Sequence, residues 1–166
     1  MMSEGSTKSY LQAALKAIVI GGLVAGTIDI VAACLINRLN PVVILQVIAS
    51  GVLGRSSFRL GLTSVALGLV LQWFMSVLIA AIFVGAGRRF LILSRHWITA
   101  GLLYGVAVFV VMNFLVVPLS AAKLPAKFTA VGFLANLAAM LLFGVIIAFF
   151  VRQKSLPAPQ FERTSD

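Results

Sequence analysis

The sequence predicts an all-α membrane protein: a four-transmembrane-helix bundle with one short interfacial or re-entrant helix between the first and second spans. Two observations predict this class. The first is composition, because 61% of the 166 residues are hydrophobic and only 10% are charged. About a quarter of the residues in a soluble domain are charged, so lipid must be the solvent for much of this chain. The second observation is that the few charges separate long apolar stretches.

Four of these stretches are long enough to cross a hydrocarbon core of about 30 Å as helices. We expect these spans at about 14–37, 60–86, 97–119 and 128–151. Together they form a single transmembrane domain over residues 11–152. The polar ends of the chain, 1–10 and 153–166, are expected to be disordered tails.

A fifth apolar stretch, 41–54, is too short to cross comfortably. Asn40 and Pro41 form a typical helix cap and first turn, and Gly54 can end a helix. We therefore interpret this stretch as a short interfacial or re-entrant helix. The alternative is a thin fifth span, which would place the two tails on opposite sides of the membrane.

The positive charges predict an orientation. Four spans put both termini on one side, together with eight Lys and Arg residues, whereas five face the other side. This bias favours cytoplasmic termini. The net charge of +9 lies in loops and tails between apolar runs, a pattern that indicates lipid phosphates as partners and argues against nucleic acid. Arg88, Arg89 and Arg95 are the candidates for lipid-headgroup contact.

Small residues recur at helical spacing within the spans and predict close helix packing. Gly22 and Gly26 share a face of the first span with Asp29 and Ala33. The later spans carry similar positions, and the full predicted packing set is Gly22, Gly26, Gly101, Gly105 and Gly132. Small side chains let helix backbones approach closely in a membrane.

Asp29 is the only acidic residue between Glu4 and Glu162, and it lies inside the first span. A carboxylate near the membrane centre costs about 2.5 to 3.5 kcal/mol on insertion scales, so such a group usually faces protein or a water-filled cavity. The four-span arrangement places Asn113 and Asn136 at the same level, and Gln72 near the midplane. The sequence thus predicts an intramembrane polar cluster of Asp29, Asn113, Asn136 and Gln72.

Two interpretations of this cluster remain open. Two asparagine amides can donate to the Asp29 carboxylate, while burial favours its neutral form, and this balance would suit proton or cation coupling. The alternative is a structural hydrogen-bonded cluster that fixes the helix packing. Helical spacing does not fix whether the Asn113 side chain points toward this cluster, because Asn113 lies about 80° around its helix from Gly105.

The residue composition argues against a metal site, a disulfide and a catalytic site. One cysteine and one histidine exclude a disulfide within the chain and make a zinc or iron–sulfur site within it implausible. No Ser/His/Asp constellation, intramembrane carboxylate pair or glycine-rich phosphate loop is present. We therefore expect a protein that is not an enzyme and that uses neither cofactor nor metal.

Three segments carry a resemblance to a known family: AGTIDIVAACL, NPVVILQVIASGVLG and MNFLVVPLSA. With these segments the chain resembles a family of small uncharacterised bacterial inner-membrane proteins with four predicted spans. The resemblance covers Gly21 to Phe150 and implies location and helix count, but no activity. The chain is also similar to the small multidrug-resistance exporters in having a single acid in the first span. It departs from them in its helix at 41–54 and in its longer loops.

Two functions remain after these exclusions. The first expectation is a non-enzymatic accessory, assembly or lipid-organising subunit of the bacterial inner membrane, with a membrane-protein partner. The alternative is a small oligomeric transporter or channel that uses Asp29 for proton or cation coupling. A transporter needs a continuous polar path, and the half nearest the termini offers little beyond Thr27, Ser76 and Tyr104, which counts against transport by a monomer. An accessory subunit needs a small-residue face that its own bundle leaves uncovered.

Overall fold

The structure is a computed structural model that describes residues 4–89, 96–121 and 129–154. All regular structure in these ranges is helical, with no strand, which confirms the all-helical prediction. Five helices within the described ranges are long and apolar enough to cross a membrane, by length and composition: Ala14–Asn37, Pro41–Arg59, Leu62–Ala86, Trp97–Leu119 and Ala130–Arg152. This count differs from the predicted four because Pro41–Arg59 is included.

Helix α1 is Glu4–Asn37. It begins well before the predicted span, so most of the predicted N-terminal tail is helical. Extending a nucleated helix by a residue costs little, and the apolar span provides the nucleus. Arg38 has a positive φ of 53° and Leu39 donates to the Cys34 carbonyl, 3.2 Å away, which ends the helix.

Helix α2 is Pro41–Leu53, and a 3-10 helix follows at Gly54–Arg59. The Asn40 side chain accepts from the Val42 N–H at 2.9 Å and caps α2. Gly54 has φ +60°, a conformation that glycine adopts without steric cost, and the chain changes direction there. As a result, the Ser57 hydroxyl donates to the Gln46 carbonyl at 2.6 Å.

Three longer helices complete the fold. Helix α3 is Leu62–Arg89, helix α4 is Trp97–Leu119, and helix α5 is Ala130–Lys154. Gly61, with φ +55°, precedes α3. Helix α5 continues to Lys154, into the predicted C-terminal tail, and residues 155–166 lie outside the described part of the chain.

The four long helices run in alternating directions. Gly22 contacts Val77 and Gly26 contacts Trp73, so α1 and α3 are antiparallel. Gly21 contacts Phe150, near the end of α5, which makes α1 and α5 antiparallel as well. Helix α4 is in turn antiparallel to α5. One end of the bundle therefore holds the start of α1 and the end of α5, and we call it the terminal end; the opposite end, where α1 ends and α3 begins, is the hairpin end.

The apolar core lies toward the terminal end. Its buried residues come from α1, α3 and α5, and Tyr104 of α4 packs against them; the buried members are Ala25, Ala80, Phe83, Phe143, Ile147 and Ala148. The Tyr104 ring lies 4.9 Å from that of Phe83, between centroids. The bundle is thus filled at the terminal end, which leaves the hairpin end for a cavity.

Candidate functional site

Asp29 lies on α1 and is half-buried between helices. Its carboxylate accepts a hydrogen bond from the Gln72 amide of α3, with 2.9 Å between Nε2 and Oδ2. This bond depends on the close approach of α1 to α3. A Cβ added to Gly26 would lie 2.9 Å from the Ser76 Cβ, so a larger residue there would separate the two helices.

A cavity of about 340 Å³ opens beside Asp29 toward the hairpin end. Helices α1, α4 and α5 line it, and Thr129 just before α5 contributes as well. Its polar lining residues are Asp29, Asn37, Asn113, Thr129 and Asn136. Three of the four residues of the predicted cluster therefore line one cavity, whereas Gln72 reaches Asp29 from the α3 side.

The hydrogen bonds of the cluster differ from those expected. The Asn113 amide donates to the Phe109 carbonyl of its own helix at 2.8 Å. No hydrogen bond joins Asn113 or Asn136 to Asp29, and all three residues are in the described ranges. The donor to the carboxylate is Gln72. The asparagines contribute polarity to the cavity wall without directly contacting the acid.

Asn113 lies in an irregular part of α4. Residues Met112–Val116 form a π-helical turn, and the Val117 N–H donates to the Met112 carbonyl five residues earlier. Pro118 follows and has no N–H to donate, which interrupts the regular hydrogen-bond ladder. A π-helical turn changes the rotation of the residues around it and is frequent at functional sites.

Two polar residues that line the large cavity, Asn37 and Thr129, were not among the predicted site residues. Asn37 continues the four-residue spacing from Asp29 through Ala33, and this signal was available in the sequence. Its amide donates to the Ala33 carbonyl at 2.8 Å. Thr129 caps α5, because its hydroxyl accepts from the Gly132 N–H at 3.2 Å. Both residues are exposed, so they mark the open end of the cavity.

A second, much smaller cavity lies on the other side of Asp29, toward the terminal end. Its volume is about 20 Å³. Gln72 and Ser76 supply polar groups beside the carboxylate, and the remaining lining residues are Met75, Ile79, Val108, Met112, Met140 and Phe143. Asp29 and Met140 line both cavities and therefore separate the large one from the small one.

Within the described residues, the Asp29 carboxyl group has no cationic partner. Neither cavity is lined by a Lys, Arg or His residue in the described part of the chain. The described residues also contain no group of three or more His, Cys, Asp or Glu that could hold a metal ion. The Asp29 carboxyl group can therefore be neutral, or it can bind a cation that enters through the cavity.

Four of the five predicted packing glycines lie at contacts between helices. A Cβ on Gly22 would lie 2.7 Å from the Val77 Cα, and one on Gly101 would lie 2.9 Å from the Gly144 carbonyl oxygen. Gly26 and Gly105 are similarly close to α3 and α5. Gly132 differs from the prediction: a Cβ there would meet only Thr129, at 2.8 Å, and the residue lines the large cavity.

The predicted headgroup contacts, at Arg88, Arg89 and Arg95, concern side chains outside the described part of the structure. At the terminal end, the Arg152 guanidinium carbon lies 5.1 Å from the centre of the Trp97 ring. This cation–π contact joins the end of α5 to the start of α4.

No protein-family model, curated protein or solved structure matches this chain.

Proposed function

We propose that the protein is a small membrane transporter or channel in which Asp29 takes up a proton or cation from one side of the membrane. One observation carries the proposal: the sole intramembrane carboxyl group lines a 340 Å³ cavity that contains no cationic side chain among its described residues. Among the described residues, the neutral Gln72 amide is the one hydrogen-bond donor to the Asp29 carboxylate, which therefore keeps acceptor capacity for a proton or cation. Ionisable groups at this depth commonly mark ion pathways.

The proposed topology has four spans, with α2 re-entrant or interfacial. The antiparallel packing of α1 and α3 supports it, because a segment that joins two antiparallel neighbours starts and ends on the same side. Helix α2 alone is about 20 Å long, at 1.5 Å per residue. The Ser57 to Gln46 hydrogen bond also argues against a straight rod, in which these residues would be about 16 Å apart.

With four spans, the Lys and Arg bias favours cytoplasmic termini in a bacterial inner membrane. The large cavity would then open toward the periplasm. In this orientation Asp29 is about 12 Å along α1 from Asn37 at the cavity mouth. A proton or cation would therefore approach the carboxyl group from the periplasmic side.

The accessory-subunit alternative has weaker support. It needs a small-residue face that remains available to a partner, but Gly22, Gly26, Gly101 and Gly105 are all engaged within the bundle. Gly61 and Gly85 are exposed with no atom within 4 Å of an added Cβ, but they lie at opposite ends of α3 and do not form one face. The helix packing therefore favours a protein that acts through its own interior.

Single-cysteine labelling in a Cys34→Ala background tests the topology. Leu39→Cys and Ser56→Cys flank α2, and Gln12→Cys lies near the start of α1; all three positions are exposed. In intact cells and inverted vesicles, a membrane-impermeant maleimide should label positions 39 and 56 from one side and position 12 from the other. Labelling of 39 and 56 from opposite sides would show that α2 crosses the membrane.

Flux through purified protein in sealed vesicles tests the function. Asp29→Asn preserves size and an acceptor for Gln72, but it removes the ionisable group. We expect it to abolish the proton or cation flux of the wild type, while Glu4→Gln, which changes an acid outside the predicted spans, leaves flux unchanged. An Asp29→Asn variant that conducts normally, or a wild type that moves neither protons nor cations, would refute the proposal.

A further inference from the structure

We propose that the species transferred beyond Asp29 is a proton, carried by one water molecule that binds between Asp29, Gln72 and Ser76 in the small cavity. This inference rests on the proposed function and specifies its substrate. It also gives the small cavity a role, that of a water-binding site, which is distinct from the role of the large cavity as the entrance to Asp29. The argument depends on the size of the small cavity, on its polar groups and on its position.

The size admits one water molecule. The small cavity has a volume of about 20 Å³, and a water needs about 10 to 15 Å³ by this measure. A hard metal cation such as Ca²⁺ needs about six to eight oxygen ligands. Only three polar side chains line this cavity, and the others are aliphatic, aromatic or thioether groups. The lining therefore suits a water and lacks the ligands for a dehydrated metal ion.

The polar groups offer a water several partners. Gln72 uses one amide hydrogen for Asp29, which leaves its second amide hydrogen and its carbonyl oxygen. The Ser76 hydroxyl donates its hydrogen to the Gln72 backbone carbonyl at 2.8 Å, so its oxygen is available as an acceptor. With one Asp29 oxygen added, a bound water has the two to four partners that internal waters require.

The position places this water on the far side of Asp29 from the entrance. Asp29 and Met140 line both cavities, so a proton that enters from the hairpin end meets the carboxyl group first. Toward the terminal end, Ile79 lines the small cavity, and its carbonyl accepts from the Tyr104 hydroxyl at 2.6 Å. The Tyr104 hydroxyl is thus a described polar group between the small cavity and the terminal end.

The transfer is a sequence of proton movements without redox chemistry. A proton from the large cavity binds the Asp29 carboxylate and makes it neutral. The neutral acid then gives its proton to the bound water, which becomes hydronium while Asp29 becomes a carboxylate again. The hydronium then gives one proton to a further water molecule on its terminal side, which becomes hydronium in turn, and itself returns to water, so atoms and charge balance at each step.

Filling the small cavity tests the inference. Val108 of α4 lines this cavity and is 7% exposed, and Val108→Ile adds one methylene group where the water would bind. Val110→Ile is the matched control, because Val110 is on the same helix but is 46% exposed. Proton flux is measured with a pH-sensitive dye inside sealed vesicles that contain the full chain, driven by a potassium–valinomycin potential.

We expect wild-type proton flux that is unchanged when choline replaces sodium. Val108→Ile should lower this flux by about tenfold or more, whereas Val110→Ile should leave it unchanged. Ser76→Ala, which removes a water partner without adding bulk, should also lower it. This second variant keeps the test valid if Val108→Ile does not fold, as judged by monodisperse elution in detergent.

The failures are distinguishable. Asp29-dependent flux of sodium at a rate comparable to that of protons would overturn the inference and leave the proposed function standing. Asp29-dependent proton flux that is normal in both Val108→Ile and Ser76→Ala would do the same, because it would place the route elsewhere. Absence of any flux from the wild type would overturn both proposals.

Discussion

Replacement of Gly105 by alanine tests the contact between α4 and α5, the two helices that carry Asn113 and Asn136 of the large cavity. A Cβ at Gly105 would lie 2.5 Å from the Met140 carbonyl oxygen and 2.8 Å from the Leu141 Cα. Ordinary contact begins at 3.4 Å, so the helices must separate locally by about 0.9 Å. Both near atoms belong to the backbone, so no side-chain rotation can relieve the clash.

The expected cost follows from this displacement. Overpacking a well-packed contact costs about 1 to 3 kcal/mol of the free energy of unfolding. Alanine also gains about 0.8 to 1 kcal/mol over glycine from helix propensity. Gly85→Ala is the control, because no atom lies within 4 Å of a Cβ at that exposed helical position. The two variants should therefore differ by about 1 to 3 kcal/mol, with Gly105→Ala the less stable.

The measurement is reversible unfolding in mixed micelles, with sodium dodecyl sulfate as denaturant and far-UV circular dichroism as the signal. The difference is read from the midpoints at a common slope. Equal stability of Gly105→Ala and Gly85→Ala would refute the reasoning, because the backbones of α4 and α5 could not then approach as described. The positions of Asn113 and Asn136 at one cavity would lose their support as well.

Two further predictions concern the polar groups beside the core. Gln72→Leu should lower the free energy of unfolding by about 1 to 3 kcal/mol in the same micelle assay, because Asp29 loses its donor; a loss of equal size in an Asp29→Leu background would show that the bond is not the cause. Tyr104→Phe should cost about 0.5 to 1.5 kcal/mol, because it removes the 2.6 Å hydrogen bond to the Ile79 carbonyl and keeps the ring contact with Phe83. A fully neutral Tyr104→Phe would contradict that bond.

Local sequence signals predicted the helices well. Apolar length predicted the long helices, and the Asn40–Pro41 pair and Gly54 predicted the bounds of α2 to within a residue. These signals act within a few residues of one another, so they can be read without knowing the fold. The start of α1 was misjudged because a polar segment can continue a helix that an apolar segment nucleates.

The pairing of polar groups could not be predicted from sequence. Helical spacing tells which residues share a face, but it does not give the relative height and rotation of neighbouring helices. Asn113 could have donated to Asp29, yet it bonds to Phe109 in its own helix, and Gln72 is the donor. The Gln72 to Asp29 pairing depends on how closely the backbones of α1 and α3 approach at Gly22 and Gly26.

The sequence by itself determined that this protein is helical, that its long apolar stretches suit a membrane, and that Asp29 is the one acidic residue within those stretches. These properties follow from composition and from the cost of placing a charge in hydrocarbon. The tertiary structure alone decided that Asp29 lies between a large open cavity and a small one. Cavities form where packed helices fail to fill space, so their position depends on the contacts of all helices together. Glycine contacts close the terminal end of the bundle, and the π-helical turn and Thr129 border the space that remains at the hairpin end.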